Sequence, residues 1–279
     1  GARSVNLREF DPTRVLYWLE SGEITHFFGV PAVYQFLAEA PGWQDADLTG
    51  VVSWACGGAP MPVALLERYA DRGIVIRQGM GLTETSPTVF LTDSEHAMSK
   101  AGSVGKPALH TEIRIVDPKG IDVGIDEVGE LWVRGPNVTP GYWQRPEANE
   151  ESFTDGWLHT GDAARRDADG YVFIVDRWKD MYISGGENVY PAEVEQVLFR
   201  HPNVLDVAVI GVDDDRWGEV GMAVIVPRDP ASADTADYLA FCDDKLARFK
   251  IPKHVTIADE LPRNAAGKVL KRELKETVV

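Results

Sequence analysis

The sequence predicts an α/β protein in three parts. Residues 1–108 form part of a doubly wound sheet, 109–178 a small β subdomain and 179–279 a separate α+β unit. Three observations predict it. Short apolar runs alternate with helical patterns from Ile24 to Gln78, the signature of parallel strands with covering helices. From Gly102 to Gly141, glycines and prolines cut the chain into short segments of period two, which read as antiparallel strands. Then an apolar run, Tyr171–Val175, meets a charged stretch, Asp176-Arg177-Trp178-Lys179-Asp180, and Pro191 opens a new helix. A polar segment between two well-patterned regions is where a domain boundary belongs.

Taken in order, Asp11 caps and Pro12 starts a helix to residue 20 with an apolar stripe of Val15, Leu16, Trp18 and Leu19. Ile24–Val30 reads as a strand and Pro31–Leu37 as a helix. Val51–Cys56 is a second strand, ending in Gly57-Gly58-Ala59-Pro60-Met61-Pro62, with a helix following to Ala70. Ile74–Gln78 is a third strand, followed by the loop Gly79-Met80-Gly81-Leu82-Thr83-Glu84-Thr85-Ser86-Pro87. In such sheets ligands bind at loops beyond the strand C-termini. The glycines of this loop allow close backbone approach, Thr83 offers a hydroxyl to a phosphate and Glu84 a hard oxygen to Mg²⁺; a plain polar turn is the local alternative. It is neither a dinucleotide fingerprint nor a Walker A motif.

Glu112–Val116 and Glu130–Arg134 alternate as strands, and Asp162 in Trp157-Leu158-His159-Thr160-Gly161-Asp162 can bond vicinal sugar hydroxyls or cap a turn. The last unit reads as helix 191–200, strands 204–212 and 220–227, helix 235–248 and strand 253–258. Lys268, straight after Gly267 in a loop opened by Leu261-Pro262, reads locally as a solvated side chain.

Composition narrows the function. The 279 residues are 44% hydrophobic and 26% charged, as in ordinary globular proteins. A net charge of −16 disfavours nucleic acid as a partner. Residues 245–275 nevertheless hold nine of the 28 basic side chains against three acids, a face suited to a small polyanion. Cys56 and Cys242, far apart, point to a reducing compartment and to neither a zinc site nor a disulfide framework. No segment reaches the ~18 apolar residues of a membrane span, and residues 1–20 lack the apolar core of a signal peptide. A cytoplasmic location is expected, with peripheral membrane contact and a homodimer both admissible. Gly1 in place of methionine suggests a fragment.

Seven stretches in one order carry a resemblance: Gly57-Gly58-Ala59-Pro60, Gly81-Leu82-Thr83-Glu84, Gly129-Glu130-Leu131, Gly141-Tyr142-Trp143, Trp157 to Asp162, Asp176-Arg177 through Ser184-Gly185-Gly186-Glu187-Asn188, and Pro262-Arg263-Asn264-Ala265-Ala266-Gly267-Lys268. Together they resemble the acyl-adenylate-forming family of acyl-CoA synthetases, luciferases and peptide-synthetase adenylation domains, over nearly the whole chain.

The resemblance implies an acyl-CoA synthetase. A carboxylic acid, with a fatty acid preferred, is activated by ATP and Mg²⁺ as acyl-adenylate and passed to coenzyme A, while a C-terminal lid swings about a hinge. By carry-over, Gly57, Gly58, Ala59, Pro60, Gly79, Met80, Gly81 and Leu82 border adenine and the acyl group, with Ile174 against the adenine. Thr83 holds phosphate, Glu84 binds Mg²⁺, and Asp162 and Arg177 hold the ribose. Lys268 contacts carboxylate and α-phosphate, and Lys179 is the hinge. A lysine suits the Lys268 role, since a mobile point charge stabilises two anions brought together and can then leave. Ser184, Gly185, Gly186, Trp217, Phe249, Lys250 and Lys253 resemble coenzyme A contacts, which favours free coenzyme A over a carrier protein; a non-catalytic nucleotide binder is the remaining alternative. Met80 replaces the family's usual tyrosine and packs less strongly on adenine. The family's phosphate loop is absent from this sequence, so the chain alone is expected to adenylate weakly or not at all.

Overall fold

The computed structural model describes residues 1–264 and 267–278; Ala265 and Ala266 of the glycine-lysine motif lie outside them. Three five-stranded sheets follow one another along the chain. In the first, helix α1 (Pro12–Glu20) precedes strand β1 (His26–Gly29), helix α2 (Pro31–Ala38), β2 (Ser53–Cys56), helix α3 (Val63–Ala70) and β3 (Ile76–Gly81). Strands β1, β2 and β3 pair in parallel, and β4 (Thr88–Leu91) and β5 (Lys106–Pro107) extend the sheet antiparallel.

The local chemistry explains these boundaries. Asp11 accepts the amides of Thr13 at 2.9 Å and Arg14 at 3.2 Å, and Pro12 fills the first turn, where no donor is needed. All three helices pack on one face of the sheet, where Leu16, Leu37, Leu66, Trp54 and Ile76 form the core. Trp54 pairs with Phe27 and Ile76, so Phe28, one residue on, takes the opposite face and is exposed.

The second sheet has the order β10-β9-β7-β6: β6 (Glu112–Val116), β7 (Gly129–Arg134), β9 (Trp157–Arg166) and β10 (Val172–Arg177), all antiparallel. Helix α4 (Pro146–Ser152) leads into β8 (Phe153–Thr154), which pairs with β9. Val172 also donates its amide to Gly105 O at 3.0 Å and accepts the Val104 amide at 2.9 Å, so this sheet abuts the first, and Val89, Phe90, Leu131 and Val172 share a core.

A single 3₁₀ turn, Trp178–Asp180, joins β10 to the third sheet. There β11 (Tyr182–Ser184) and β12 (Glu187–Val189) form a hairpin whose turn residues, Gly185 and Gly186, both have positive φ. Helix α5 (Pro191–Leu198), β13 (Val204–Asp214), β14 (Gly218–Pro227), helix α6 (Thr235–Phe241), β15 (His254–Ile257) and helix α7 (Lys271–Val278) complete it. β13 and β14 are a long hairpin, with β15 parallel to β14. Among the described residues no helix is long and apolar enough to cross a membrane.

Three expectations need correction. Gly79, Met80 and Gly81 are not loop but the end of β3, because Gly79 and Met80 pair with Leu91 and Phe90 of β4. The predicted helix 235–248 stops at Phe241, and Asp244 adopts φ 61°, a left-handed value that breaks a helix. Lys268 is half-buried, not a solvated loop side chain, because the tail folds back on the first sheet.

Candidate active site

Parallel pairing of β1, β2 and β3 brings their C-terminal ends to one edge. Val30 follows β1, Gly57 and Gly58 follow β2 with Ala59 and Pro60 beyond, and Gly79, Met80 and Gly81 end β3. The glycines are there for close approach. A Cβ on Gly57 would lie 3.2 Å from the Gly79 carbonyl, and one on Gly81 would overlap the backbone of Pro87. Leu82 leads into the 3₁₀ turn Thr83–Thr85. Thr85 is fully buried; its hydroxyl accepts the Leu82 amide at 3.0 Å and donates to Pro87 O at 2.7 Å, closing the loop and leaving Thr83 exposed.

The Glu84 carbonyl accepts the Thr139 amide at 2.7 Å, and its carboxylate accepts the Tyr142 hydroxyl at 2.8 Å. The carboxylate therefore points toward the Gly141-Tyr142-Trp143 stretch. Among the described residues no group of three or more metal-ligating side chains occurs. Mg²⁺ is commonly held by one or two carboxylates, waters and substrate phosphates, and Glu84 is the carboxylate of this loop that could hold one.

A second group stands on β9 and β10. Asp162 and Arg177 are cross-strand partners, with Arg177 Nε 2.9 Å from Asp162 Oδ1. Arg177 also donates to Thr160 O at 3.2 Å. Asp162 is 5% exposed, and burial pushes its carboxyl above the usual range against the opposing charges of Arg177 and Lys268. Ile174 and Met80 both pack on the core shared by the first two sheets.

The tail joins the two groups. Gly267 packs against Val30, 3.1 Å from its Cγ2 to a built Cβ, and Lys268 follows. Burial holds the Lys268 ammonium below the ordinary lysine range, with the like charge of Arg177 adding to the effect and Asp162 and Asp180 opposing it. The loop is fixed from its own side: Arg263 donates to Gly267 O at 2.6 Å and pairs with Asp206, and Asn264 Oδ1 accepts the Lys268 amide at 2.9 Å. Lys179 lies exposed in the turn between the second and third sheets.

Only some of the expected coenzyme A contacts converge. Gly185 donates its amide to Trp217 O at 2.8 Å, a Cβ there would meet the Trp217 ring at 2.9 Å, and Ser184 pairs with Gly218. Lys253 donates its amide to Gly221 O at 2.8 Å, on the same strand β14. Lys250 is instead held by Glu193 at 2.7 Å, and its neighbour Phe249 is 38% exposed. Nothing in the sequence signals Arg263 and Thr85 as loop braces, and Tyr142 is visible there only as a motif residue without a role.

Comparison with known proteins shows the family. Residues 1–143 match the AMP-binding enzyme family and residues 193–268 its C-terminal domain. A feruloyl-CoA synthase of an Amycolatopsis species is 50% identical over 95% of this chain and 54% of its own length. The long-chain-fatty-acid–CoA ligase FadD13 of Mycobacterium tuberculosis is 39% identical over 99% of this chain and 54% of its own. Among solved structures, o-succinylbenzoate CoA synthetase (MenE) of Bacillus subtilis with its acyl-adenylate OSB-AMP superposes with a TM-score of 0.84 at 38% identity, covering 95% of this chain and 54% of that one. The chain thus spans about half the length of the curated relatives it matches. Within that span it belongs to the AMP-binding enzyme family, the acyl-adenylate-forming superfamily.

Proposed function

We propose that the chain is the nucleotide-, acid- and thiol-handling part of an acyl-CoA ligase. A substrate carboxylate oxygen attacks the α-phosphorus of ATP, the bond to the bridging oxygen breaks and pyrophosphate leaves with the electron pair. The coenzyme A thiol, losing its proton to solvent, then attacks the acyl carbon and AMP leaves. One observation carries the reading: the tail seated on Val30 delivers Lys268 to the Asp162–Arg177 pair at the sheet edge. In this reading Asp162 and Arg177 hold the ribose hydroxyls, which their pairing across β9 and β10 supports. Lys268 is the cation for the carboxylate and α-phosphate, where fixed charge lowers the barrier most. The glycines of 57–58 and 79–81 leave room for the adenine and acyl groups. Glu84 would hold Mg²⁺, which neutralises the polyphosphate when bound. Residues 179–279 act as the lid and Lys179 as its hinge.

Coenzyme A is favoured as acceptor over a carrier protein because Ser184, Gly185, Gly186 and Trp217 form one surface beside Gly218. The acid is apolar. The fatty acid preferred from the sequence is supported by the 39% identity to FadD13, but the 50% identity to a feruloyl-CoA synthase weighs more for an aromatic acid.

The test is calorimetric titration of the chain with AMP and with non-hydrolysable acyl-sulfamoyl adenylates bearing fatty or hydroxycinnamoyl groups, beside pyrophosphate exchange for the same acids. Tighter binding of one acyl analogue than of AMP supports the reading and identifies the acid. Binding of neither AMP nor any analogue overturns it.

A further inference from the structure

Helix α5 begins without a cap of its own. Pro191 occupies its first turn, and the preceding Tyr190 makes no side-chain hydrogen bond to the helix amides. The first-turn donors of a helix need acceptors. For Ala192 that acceptor comes from across the connector: Asp176 Oδ2, on β10 of the second sheet, accepts its amide at 2.8 Å, while Oδ1 accepts the Arg177 amide at 2.7 Å. Asp176 is 8% exposed. A carboxylate at a helix N-terminus is favoured by the amides and by the dipole together.

The same carboxylate faces a second element of the third sheet's unit. Lys271, at the start of α7, pairs with Glu195 of α5 at 2.7 Å and is electrostatically coupled to Asp176. Glu195 also accepts the Val209 amide at 2.8 Å, so α5, α7 and β13 are bound to one another. Lys271 lies three residues beyond Lys268. Fixing the root of α7 therefore fixes where Lys268 leaves the chain. On the other side, Asp176 adjoins Arg177, the partner of Asp162.

We infer that Asp176 is a positioning residue: it anchors α5 and faces the root of α7, so that the C-terminal unit sits with Lys268 against Asp162 and Arg177. Among the described residues the other hydrogen bonds and ion pairs between the units are Gln196 with the Val63 amide, Arg200 with Glu67 and Arg228 with Glu39, and Gly267 and Phe199 add apolar contacts to the first sheet's unit. Among the described residues Asp176 is the side chain that hydrogen-bonds the strand carrying Arg177 to α5, and α5 in turn holds the root of α7 through Glu195 and Lys271. The catalytic meaning of this anchor rests on the function proposed above; the anchoring itself does not.

The test needs no ligand, so failure of the anchor and failure of the proposed chemistry are told apart. Spin labels on Glu95→Cys and Lys275→Cys report the distance between the units; Cys56 and Cys242 are buried and stay unlabelled. In parallel, competitive amine acylation read by mass spectrometry follows Lys268 as a function of pH. The wild type should show one dominant distance, and a Lys268 that titrates below the ordinary lysine value. In Asp176→Ala a second, longer distance should appear, and Lys268 should titrate closer to an ordinary lysine. Asp176→Asn, which keeps an acceptor but no charge, should fall between, and Arg272→Gln, a surface change, should match wild type. Should Asp176→Ala fail to fold, Asp176→Asn and Lys271→Met decide. Unchanged distances and an unchanged Lys268 titration in folded Asp176 variants overturn the proposal.

Discussion

Gly267 rests on Val30, and through that contact the tail of the chain meets the end of the first parallel strand. The glycine has φ 79°, a left-handed value, and only 3.1 Å separates a built Cβ from the Val30 methyl. Gly267→Ala should cost about 1–2 kcal/mol, from backbone strain of roughly 1 kcal/mol plus the steric contact. Adding Val30→Ala should recover the steric part and leave the strain. Urea unfolding of the two single variants and the double variant measures the coupling. Strict additivity would mean that the two residues do not touch in solution.

Removing Arg177 leaves Asp162 buried beside Lys268 alone. A buried pair broken from one side costs roughly 3–5 kcal/mol. Arg177 is one-third exposed and Lys268 remains, so about 1–2 kcal/mol is expected for Arg177→Met at pH 7. The sign with pH follows from the raised carboxyl of Asp162. A group raised in the folded state favours the protonated form, and protonated Asp162 needs no partner. The penalty of Arg177→Met should therefore shrink as pH falls toward 4. Affinity for AMP should drop at least ~10-fold at pH 7, as expected for loss of a charge-assisted hydrogen bond. Unfolding curves at both pH values and AMP titrations check the two effects.

Cys56 and Cys242 are both buried, and burial pushes their thiols up to about 12 and about 11. The thiolate is the reactive form, so at pH 8 only about one Cys56 in 10⁴ is ionised. A chromogenic disulfide reagent should titrate no thiol in the native chain and two after denaturation. A fast native thiol would contradict the packing of Cys56 in the first core.

Much of this arrangement is legible in the sequence, and what is not has a common cause. Asp11-Pro12 and Pro31 declare helix starts through local chemistry, and the runs before Gly57 and Gly79 declare buried strands. Gly79-Met80-Gly81 reads as loop because its strand character comes only from pairing with Leu91 and Phe90 across a turn. The overlong helix after Thr235 fails at Asp244, whose left-handed backbone no periodicity reveals. The pairing of Asp162 with Arg177, the seat of Gly267 on Val30 and the capping of α5 by Asp176 join residues distant in the chain. Family resemblance names the first pair; only the fold brings the others together.

Tyr142 gives Glu84 its orientation. The hydroxyl donates at 2.8 Å, and burial together with the Glu84 charge raises the Tyr142 hydroxyl above its ordinary value. Tyr142→Phe should cost about 0.5–1 kcal/mol of stability, the worth of one part-exposed hydrogen bond. Its larger effect should be on metal: the gain in ATP affinity on adding Mg²⁺ should fall several-fold, while affinity measured with a chelator present is unchanged. Calorimetry with and without Mg²⁺ separates the two. An equal loss in both conditions would mean that Tyr142 serves the loop and not the carboxylate.

Lys268 should make the seating of the tail depend on pH. In the seated tail, burial and Arg177 favour its neutral form, and Asp162 and Asp180 only partly oppose them. With the tail lifted into water the ordinary value near 10.5 applies. The seated state therefore binds fewer protons than the lifted one, and raising pH favours seating. The window runs from the depressed value up to the ordinary lysine value. Across it the fraction of seated tail, read by the spin-label distance, should rise with pH in the wild type. In Lys268→Met the charge is gone and the dependence should vanish, with the tail more firmly seated at neutral pH than in the wild type. A bound anion should do the same to the wild type, because a phosphate oxygen beside Lys268 restores the charged form that burial opposes. AMP should accordingly shift the seated fraction more at pH 7 than at pH 10, and an equal shift at both would show that Lys268 does not meet the phosphate.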